Sequence, residues 1–361
     1  MSGGGPVVHL HPGPGREMVN PYLSLLAAAL RERGAEVVEL GSRPFGERSV
    51  VHVHWPEMPL NAARTTWALR RLKNLGAAVL GARRHGVPVV WTVHNLRAHD
   101  GRRPALQHLL WATFPHLVDG WLSLSGSGVE PARRAFPALR RKPHRVVAHG
   151  TYAGVVGRPE RRAAREALGV PAGARVVAMV GRVKPYKGVE DLVDAVRASG
   201  DPGLRLLVGG GCDDEDLRAR LRAVAAGDPR LTLLLEKLPQ ERVDQVLAAA
   251  DLLVLPFRSI FNSGSVLLCL SAGRPVLAPR TPVFEELAAE VGPGWLRLFD
   301  GPLTAAVVEE AVRAAPPRGE PDLSRHDWAA VAAAHLDFYE EVRGAATGRD
   351  VLRTTRAAAR R

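Results

Sequence analysis

The chain has 361 residues, 46% hydrophobic and 24% charged, enough to bury two ordinary cores at about 100–200 residues per domain. That balance excludes a disordered chain, a collagen and a coiled coil, and two distant cysteines, Cys212 and Cys269, exclude a disulfide scaffold or zinc ribbon. The formal net charge of +12 favours a polyanion or an anionic membrane face as partner, although a solvated basic surface is the plain alternative.

Only five of the 49 basic residues are lysines, a skew that reads as GC-rich codon usage. The charges are clumped at 70–73, 83–84, 102–103, 133–134, 140–142 and 161–162, with a basic tail at the end, which predicts a basic N-terminal half. The N-terminus lacks a basic segment followed by an apolar one. No apolar run reaches about 18 residues, so the expected setting is the cytosol.

In chain order, short apolar runs at 7–10, 37–40, 50–53, 87–93, 120–124 and 145–148 predict buried parallel strands. Helical periodicity fills 21–33, 61–85 and 104–117, and Asn20 before Pro21 predicts an N-cap with proline at the first helical position. A second series follows. Strands are predicted at 176–180, 204–208, 231–235, 252–255 and 276–278, with helices at 189–198, 214–226, 241–249 and 265–272. A last helix is predicted at 327–342, after a proline-rich stretch.

Repeated strand–helix alternation predicts an α/β protein of two doubly wound, Rossmann-like domains facing a cleft. The expected boundaries are 1–155 for an acceptor-binding domain, 156–172 for a linker with a short helix near 160–168, and 173–320 for a nucleotide-sugar-binding domain. A C-terminal helix at 321–345, expected to cross back to the N-terminal domain, and a basic tail at 346–361 complete the chain.

Ligands of such folds bind at the carboxyl ends of the strands, so the residues just after each strand are the informative ones. His54-Trp55-Pro56-Glu57 follows one strand, His94-Asn95 with His99-Asp100 another, and His149-Gly150 the last of the first half. A structural histidine is the ordinary reading of any one of these, but several at equivalent strand ends weaken it. Gly181-Arg182-Val183-Lys184-Pro185-Tyr186-Lys187-Gly188 lies between a strand and a helix, where three cations make a pocket for a diphosphate. Asn262-Ser263-Gly264-Ser265 caps the next such helix and can also present N–H and hydroxyl donors to a phosphate or sugar. His52 and His54 share a strand face, yet no carboxylate or cysteine stands at metal-ligand spacing, so no metal site is expected.

Gly181-Arg182 with Lys187-Gly188 resembles the diphosphate motif of GT-B glycosyltransferases, and the resemblance implies that Arg182 and Lys187 hold the diphosphate of a nucleotide-sugar donor. Many retaining members also carry two glutamates, and the matching positions here are Ile260 and Leu268. That departure points away from the common retaining group. A narrower resemblance covers almost the whole chain. Asn20-Pro21-Tyr22-Leu23, the segment from His52 to Glu57, Thr92-Val93-His94-Asn95-Leu96 and His149-Gly150-Thr151-Tyr152 look like the bacterial β-mannosyltransferases of glycosyltransferase family 94. So do the segments from Pro185 to Glu190, Asn262 to Ser265, Glu290 to Trp295 and Pro321 to Ser324 with Asp327-Trp328.

This resemblance implies inverting transfer of mannose from GDP-mannose to a glycan hydroxyl. The acceptor would be lipid-diphosphate-linked and uronic-acid-terminated, met at the inner face of the plasma membrane, and the reaction would need neither metal nor cofactor. Glu57, which follows a strand end and is aimed by a rigid Trp-Pro step, is the expected catalytic base, with Asp100 as alternative, and the resemblance lets His94 reach the donor sugar. Ser263, Gly264 and Ser265 join Arg182 and Lys187 at the diphosphate. Asn262, His149, Tyr186, Glu285 and Glu286 would line the sugar and nucleotide, and Asn20, Tyr22, His54, Trp55, Asn95, His99 and Tyr152 the acceptor side. The rival readings are the same fold with a UDP-hexose or a small-molecule acceptor, a nucleotide-sugar epimerase, and a basic polyanion-binding module. Only 5% aromatics and the lack of a nucleic-acid motif argue against the last.

Overall fold

The computed structural model describes residues 5–14, 21–96, 103–262 and 264–358, with side chains to residue 345. It divides into two units, Met1–Gly150 with Arg325–Arg361, and Thr151–Ser324. Asn20, His99, Asp100 and Ser263 lie outside the described residues.

The first unit is built on a parallel sheet of six strands, β1 (Val7–His11), β2 (Glu36–Glu39), β3 (Ser49–Val53), β4 (Val89–Val93), β5 (Gly120–Ser123) and β6 (His144–Val146). Their order is β2-β1-β3-β4-β5-β6, so the winding reverses between β1 and β3. β3 and β4 are buried along their full length, as expected for strands covered on both faces. The connecting helices are α1 (Tyr22–Glu32), α2 (Thr65–Arg84), α3 (Pro104–Leu117) and α4 (Val129–Ala135). α1 forms because Leu23, Leu26, Ala27 and Leu30 recur at one helical face, and all four are buried. Pro21 is its N-cap residue rather than its first helical residue, and its carbonyl accepts from Leu25 N.

The second unit repeats the plan with β7 (Arg175–Val180), β8 (Leu204–Gly209), β9 (Leu231–Leu234), β10 (Leu252–Val254), β11 (Val276–Pro279) and β12 (Leu296–Phe299). The order β9-β8-β7-β10-β11-β12 reverses between β7 and β10, which puts the topological switch point there. Helices α5 (Arg161–Ala167), α6 (Val189–Ala198), α7 (Glu215–Ala226), α8 (Gln240–Ala249), α9 (Gly264–Ser271), α10 (Pro282–Val291) and α11 (Ala305–Arg313) surround this sheet. α4, α10, α11 and β12 were not predicted from periodicity.

The stretch expected to be a linker is a folded part of the second unit. Glu160 caps α5 by accepting from Arg162 N and Ala163 N at 2.9 and 2.8 Å. Buried Arg165 donates to the carbonyls of Ala249, Ala172 and Ala174 and pairs with Asp251 at 2.8 Å. Asp251 also accepts from Val176 N, so one carboxylate ties this arginine to the start of β7. Arginines that composition alone assigned to codon bias are here structural cross-links.

The last helix, α12 (Trp328–Ala358), runs through much of the expected tail and belongs to the first unit, packed on α1. Gly150 makes room for the Trp328 ring, since a Cβ there would lie 2.3 Å from it. The first unit holds 27 of the 49 basic and 14 of the 37 acidic residues, so it carries the whole positive excess, while the second is near neutral.

Candidate active site

In the second unit the chemistry gathers at the β7/β10 switch point. Gly181 ends β7 at φ +113°, and Gly188 opens α6 at φ +69°. A Cβ on Gly188 would lie 2.1 Å from the Pro256 carbonyl oxygen, so only glycine lets the loop after β7 close on the loop after β10. Arg258 N donates to Tyr186 O, and the Arg258 guanidinium grips Asp191 through bonds of 2.8 and 2.7 Å. These bonds fix the loop that carries Lys187.

Lys187 is buried, 8% exposed, and among the described residues no carboxylate pairs with it. A side chain on Gly181 would come within 3.2 Å of Lys187 Nζ and 4.0 Å of Ser265 Oγ, so both groups converge on the space above Gly181. Desolvation brings the Lys187 ammonium down to about 8, with the neighbouring Arg182 adding to the effect. The same apolar setting pushes the nearby Cys269 thiol up to about 12, so that sulfur stays protonated and inert. Arg182 and Lys184 both face Asp213, Arg182 in direct contact and Lys184 at 3.9 Å. A buried cation with no counter-ion among the described residues, an exposed arginine and the N-terminus of α9 thus put positive charge at this switch point.

In the first unit the sites after β3 and β4 meet. Glu57 sits at the N-terminal boundary of a short 3₁₀ turn, 6% exposed, and accepts from Asn95 Nδ2 at 2.9 Å. Burial raises its carboxyl to about 7, and the Asn95 bond only partly opposes the shift. A hydrogen bond of 3.0 Å joins His54 Nδ1 and His94 Nε2, and the Trp55 ring stacks on His94 with centroids 4.3 Å apart. Behind them, His52 binds Tyr339 OH through Nδ1 at 2.7 Å and Thr92 Oγ1 through Nε2 at 2.8 Å. Tyr22 is fully buried and touches the rings of His54, His94 and His149. Among the described residues no group of three or more His, Cys, Asp or Glu is placed to hold a metal ion.

Residues 174–313 match the family described as "Glycosyl transferases group 1". The chain is 32% identical over 330 residues to the GDP-mannose:glycolipid 4-beta-D-mannosyltransferase of Xanthomonas campestris pv. campestris, covering 90% of this chain and 89% of that one. The chain belongs to this glycosyltransferase family. It is also 32% identical over 212 residues to the D-inositol 3-phosphate glycosyltransferase of Mycobacterium tuberculosis, over 54% of this chain and 42% of that one. Among solved structures, the sucrose-phosphate synthase of Thermosynechococcus elongatus aligns with a TM-score of 0.62 at 16% identity, covering 98% of this chain and all of that one. Anabaena HepE, solved with UDP and glucose, gives 0.60 at 16% over 97% of this chain and 99% of that one. These likenesses show the GT-B fold.

Within this glycosyltransferase, several residues expected to face an acceptor do not. Tyr22 and His54 are fully buried and Tyr152 nearly so, because the first two fill the core beneath His94 and the last has its backbone N bonded to Ser271 Oγ. His149 is buried too, with its Nδ1 bonded to the Gly150 carbonyl. Asn95 holds Glu57. Glu285 is exposed and paired with Arg280 at 3.4 Å, on the helix after β11, while Glu286 and Tyr186 are half-buried and Asn262 precedes α9. Sequence reasoning missed Thr92, His335 and Tyr339 as parts of the histidine cluster. His335 and Tyr339 stand one helical turn apart, but only the return of α12 to the first unit puts that face beside β3.

This cluster is expected to make the fold acid-sensitive. Burial holds His52, His54 and His94 well below the usual histidine range and brings His149 and His335 to about 4. The unfolded chain takes up protons near 6.5 that the folded unit refuses, so stability is lost as pH falls from 6.5 towards 4. His149 and His335 each contribute roughly 3 kcal/mol to that loss. Glu57 opposes it, since its raised carboxyl favours the folded state below 4.5 and less so as pH rises through 7. Five histidines outweigh one glutamate. The thermal midpoint is expected to drop steeply between pH 7 and 5, and a flat profile there would contradict the buried neutral cluster.

Proposed function

We propose that this glycosyltransferase moves mannose from GDP-mannose to a hydroxyl of a lipid-linked glycan, forming a β-linkage with inversion. The mannosyltransferase similarity along nearly the whole chain supports donor and stereochemistry. The geometric observation that carries donor binding is the buried, carboxylate-free Lys187 beside Ser265 at the switch point. In this reading the acceptor hydroxyl gives its proton to the Glu57 carboxylate as its oxygen bonds to the anomeric carbon. The bond from that carbon to the diphosphate breaks, and the electron pair leaves on the diphosphate oxygen. Arg182, Lys187 and the N–H groups opening α9 take up the negative charge, by preorganised electrostatics and without a metal. A carboxyl near 7 suits the base, because it is ionised in part at working pH yet still basic enough to accept the proton. A glycolipid acceptor places the enzyme on the inner face of the plasma membrane.

The test is calorimetric titration of the purified chain with GDP, UDP, GDP-mannose and UDP-glucose. Guanine-selective binding supports the reading; uracil selectivity or no binding to any of the four overturns its donor assignment.

A further inference from the structure

The surface of the first unit carries a second feature that the chemistry above does not use. Residues 58–118 contain nine Lys and Arg but a single acidic residue, Asp100. Within this stretch α2 and α3 are successive right-handed crossovers, β3 to β4 and β4 to β5, and so lie on one face of the sheet. Their ends are tied together, Arg103 Nε to Thr65 Oγ1 at 3.4 Å and Arg83 Nη1 to the Leu117 carbonyl at 2.7 Å. α2 buries Ala68, Leu75, Val79 and Ala82 against the sheet. Its outer side is not simply polar. Trp67 is 50% exposed, Leu69 47% and Leu80 43%, and Leu109 of α3 is 58% exposed.

These residues have a pattern. At 100° per residue, Leu69, Lys73, Leu80 and Arg84 fall on one stripe of α2, with Arg70 along its flank and Trp67 at the far edge of the outer face, and all six are exposed. Arg64 lies 5.4 Å from the Trp67 ring, a cation over the aromatic face. Neither α2 nor α3 carries an acidic residue. A water-facing helix normally mixes both signs of charge and exposes few large apolar groups. Here every charged side chain on α2 is a cation, set among exposed leucines and a tryptophan, and α3 adds an exposed leucine with no acidic residue.

We propose that the outer face of α2 and α3 is a docking surface for an anionic lipid bilayer. Leu69, Leu80 and Leu109 enter the interfacial region with Trp67 at its edge, and Arg70, Lys73 and Arg84 meet the lipid phosphates. Charge complementarity selects this occupant over a neutral or basic partner, because every charge on the two helices is positive. No described helix is long and apolar enough to cross a membrane, so this is a grip on one leaflet. The face would hold the enzyme on the surface that carries a glycolipid acceptor, and to that extent it deepens the proposed function.

The experiment is sedimentation of the full chain with vesicles of equimolar phosphatidylglycerol and phosphatidylcholine, against phosphatidylcholine alone. GDP binding is measured on the same samples, so a failed donor site and a failed membrane face are told apart. The expected result is pelleting with anionic vesicles only, weakened by salt. Arg70→Glu with Lys73→Glu should lower the partition by about tenfold or more, and Leu69→Ser with Leu109→Ser should abolish it. All four positions are exposed, so both variants should keep the wild-type melting point and GDP affinity. Quenching of tryptophan fluorescence by brominated lipid should fall in Trp67→Phe. Equal pelleting of wild type and both variants would overturn the assignment, as would no pelleting at all. Self-association abolished by the leucine pair would give the face to a second copy of the chain, and displacement of vesicles by duplex DNA would give it to nucleic acid.

Discussion

Replacing Lys187 by methionine will remove donor binding and leave the protein at least as stable as wild type. In the folded chain the ammonium is buried with no carboxylate among its described neighbours, and desolvation lowers it from 10.5 to about 8. Holding that charge at neutral pH costs the fold roughly 3 kcal/mol, which a methionine of similar length does not incur. A bound diphosphate supplies the missing counter-ion, and under the proposed role it raises the Lys187 ammonium again. Two consequences are measurable. Donor affinity should fall as pH rises through 8, because the neutral amine no longer attracts the diphosphate. At pH 8 and above, binding should take up protons, seen as a dependence of calorimetric heat on the buffer's ionisation enthalpy. Turnover in Lys187→Met should drop by about a hundredfold to a thousandfold, the range for losing one preorganised charge-stabilising donor. Wild-type affinity in this variant would remove Lys187 from the donor site.

The second large effect is expected at Glu57. Under the proposed base role, Glu57→Gln should lower turnover by about two to four orders of magnitude with little change in donor affinity. In wild type the rate should climb as pH rises through 7, following ionisation of the carboxyl, and the residual activity of the variant should lose that limb. Stability should move the other way. A carboxyl raised from 4.5 to about 7 weakens the fold at neutral pH by about 3 kcal/mol. Glutamine keeps the shape without the charge and can still meet Asn95. The variant should therefore melt higher than wild type above pH 7, a trade of stability for activity of the kind active sites impose. Asn95→Ala should leave the carboxyl without its donor, raise it further and shift the rising limb of the rate to higher pH.

Much of this protein was legible before any coordinates. Apolar runs of three to seven residues spaced by helical patterns gave nearly every strand of both sheets, since a strand covered on both faces must be apolar along its length. Gly181-Arg182 and Lys187-Gly188 marked the loop between a strand and a helix where the structure buries Lys187 near Ser265. The errors fell where local pattern and tertiary role part. The arginine-rich stretch around α5 looks like a linker, yet Arg165 is cross-linked to Asp251 and to three carbonyls. Tyr22 and His54 sit in motifs that resemble a binding surface and are buried beneath it.

The sequence by itself determined the two α/β units, the loops at their strand ends and membership of a glycosyltransferase family. Those follow from periodicity and local residue chemistry, which a linear chain displays. The return of the last helix to the first unit was expected too, but only the tertiary structure decided that Tyr339 bonds to His52 from 287 positions away and that Glu57 and Lys187 stand buried. A group's proton affinity is set by the neighbours and the water around it. Packing brings those together from distant parts of the chain, and no spacing in the sequence records them.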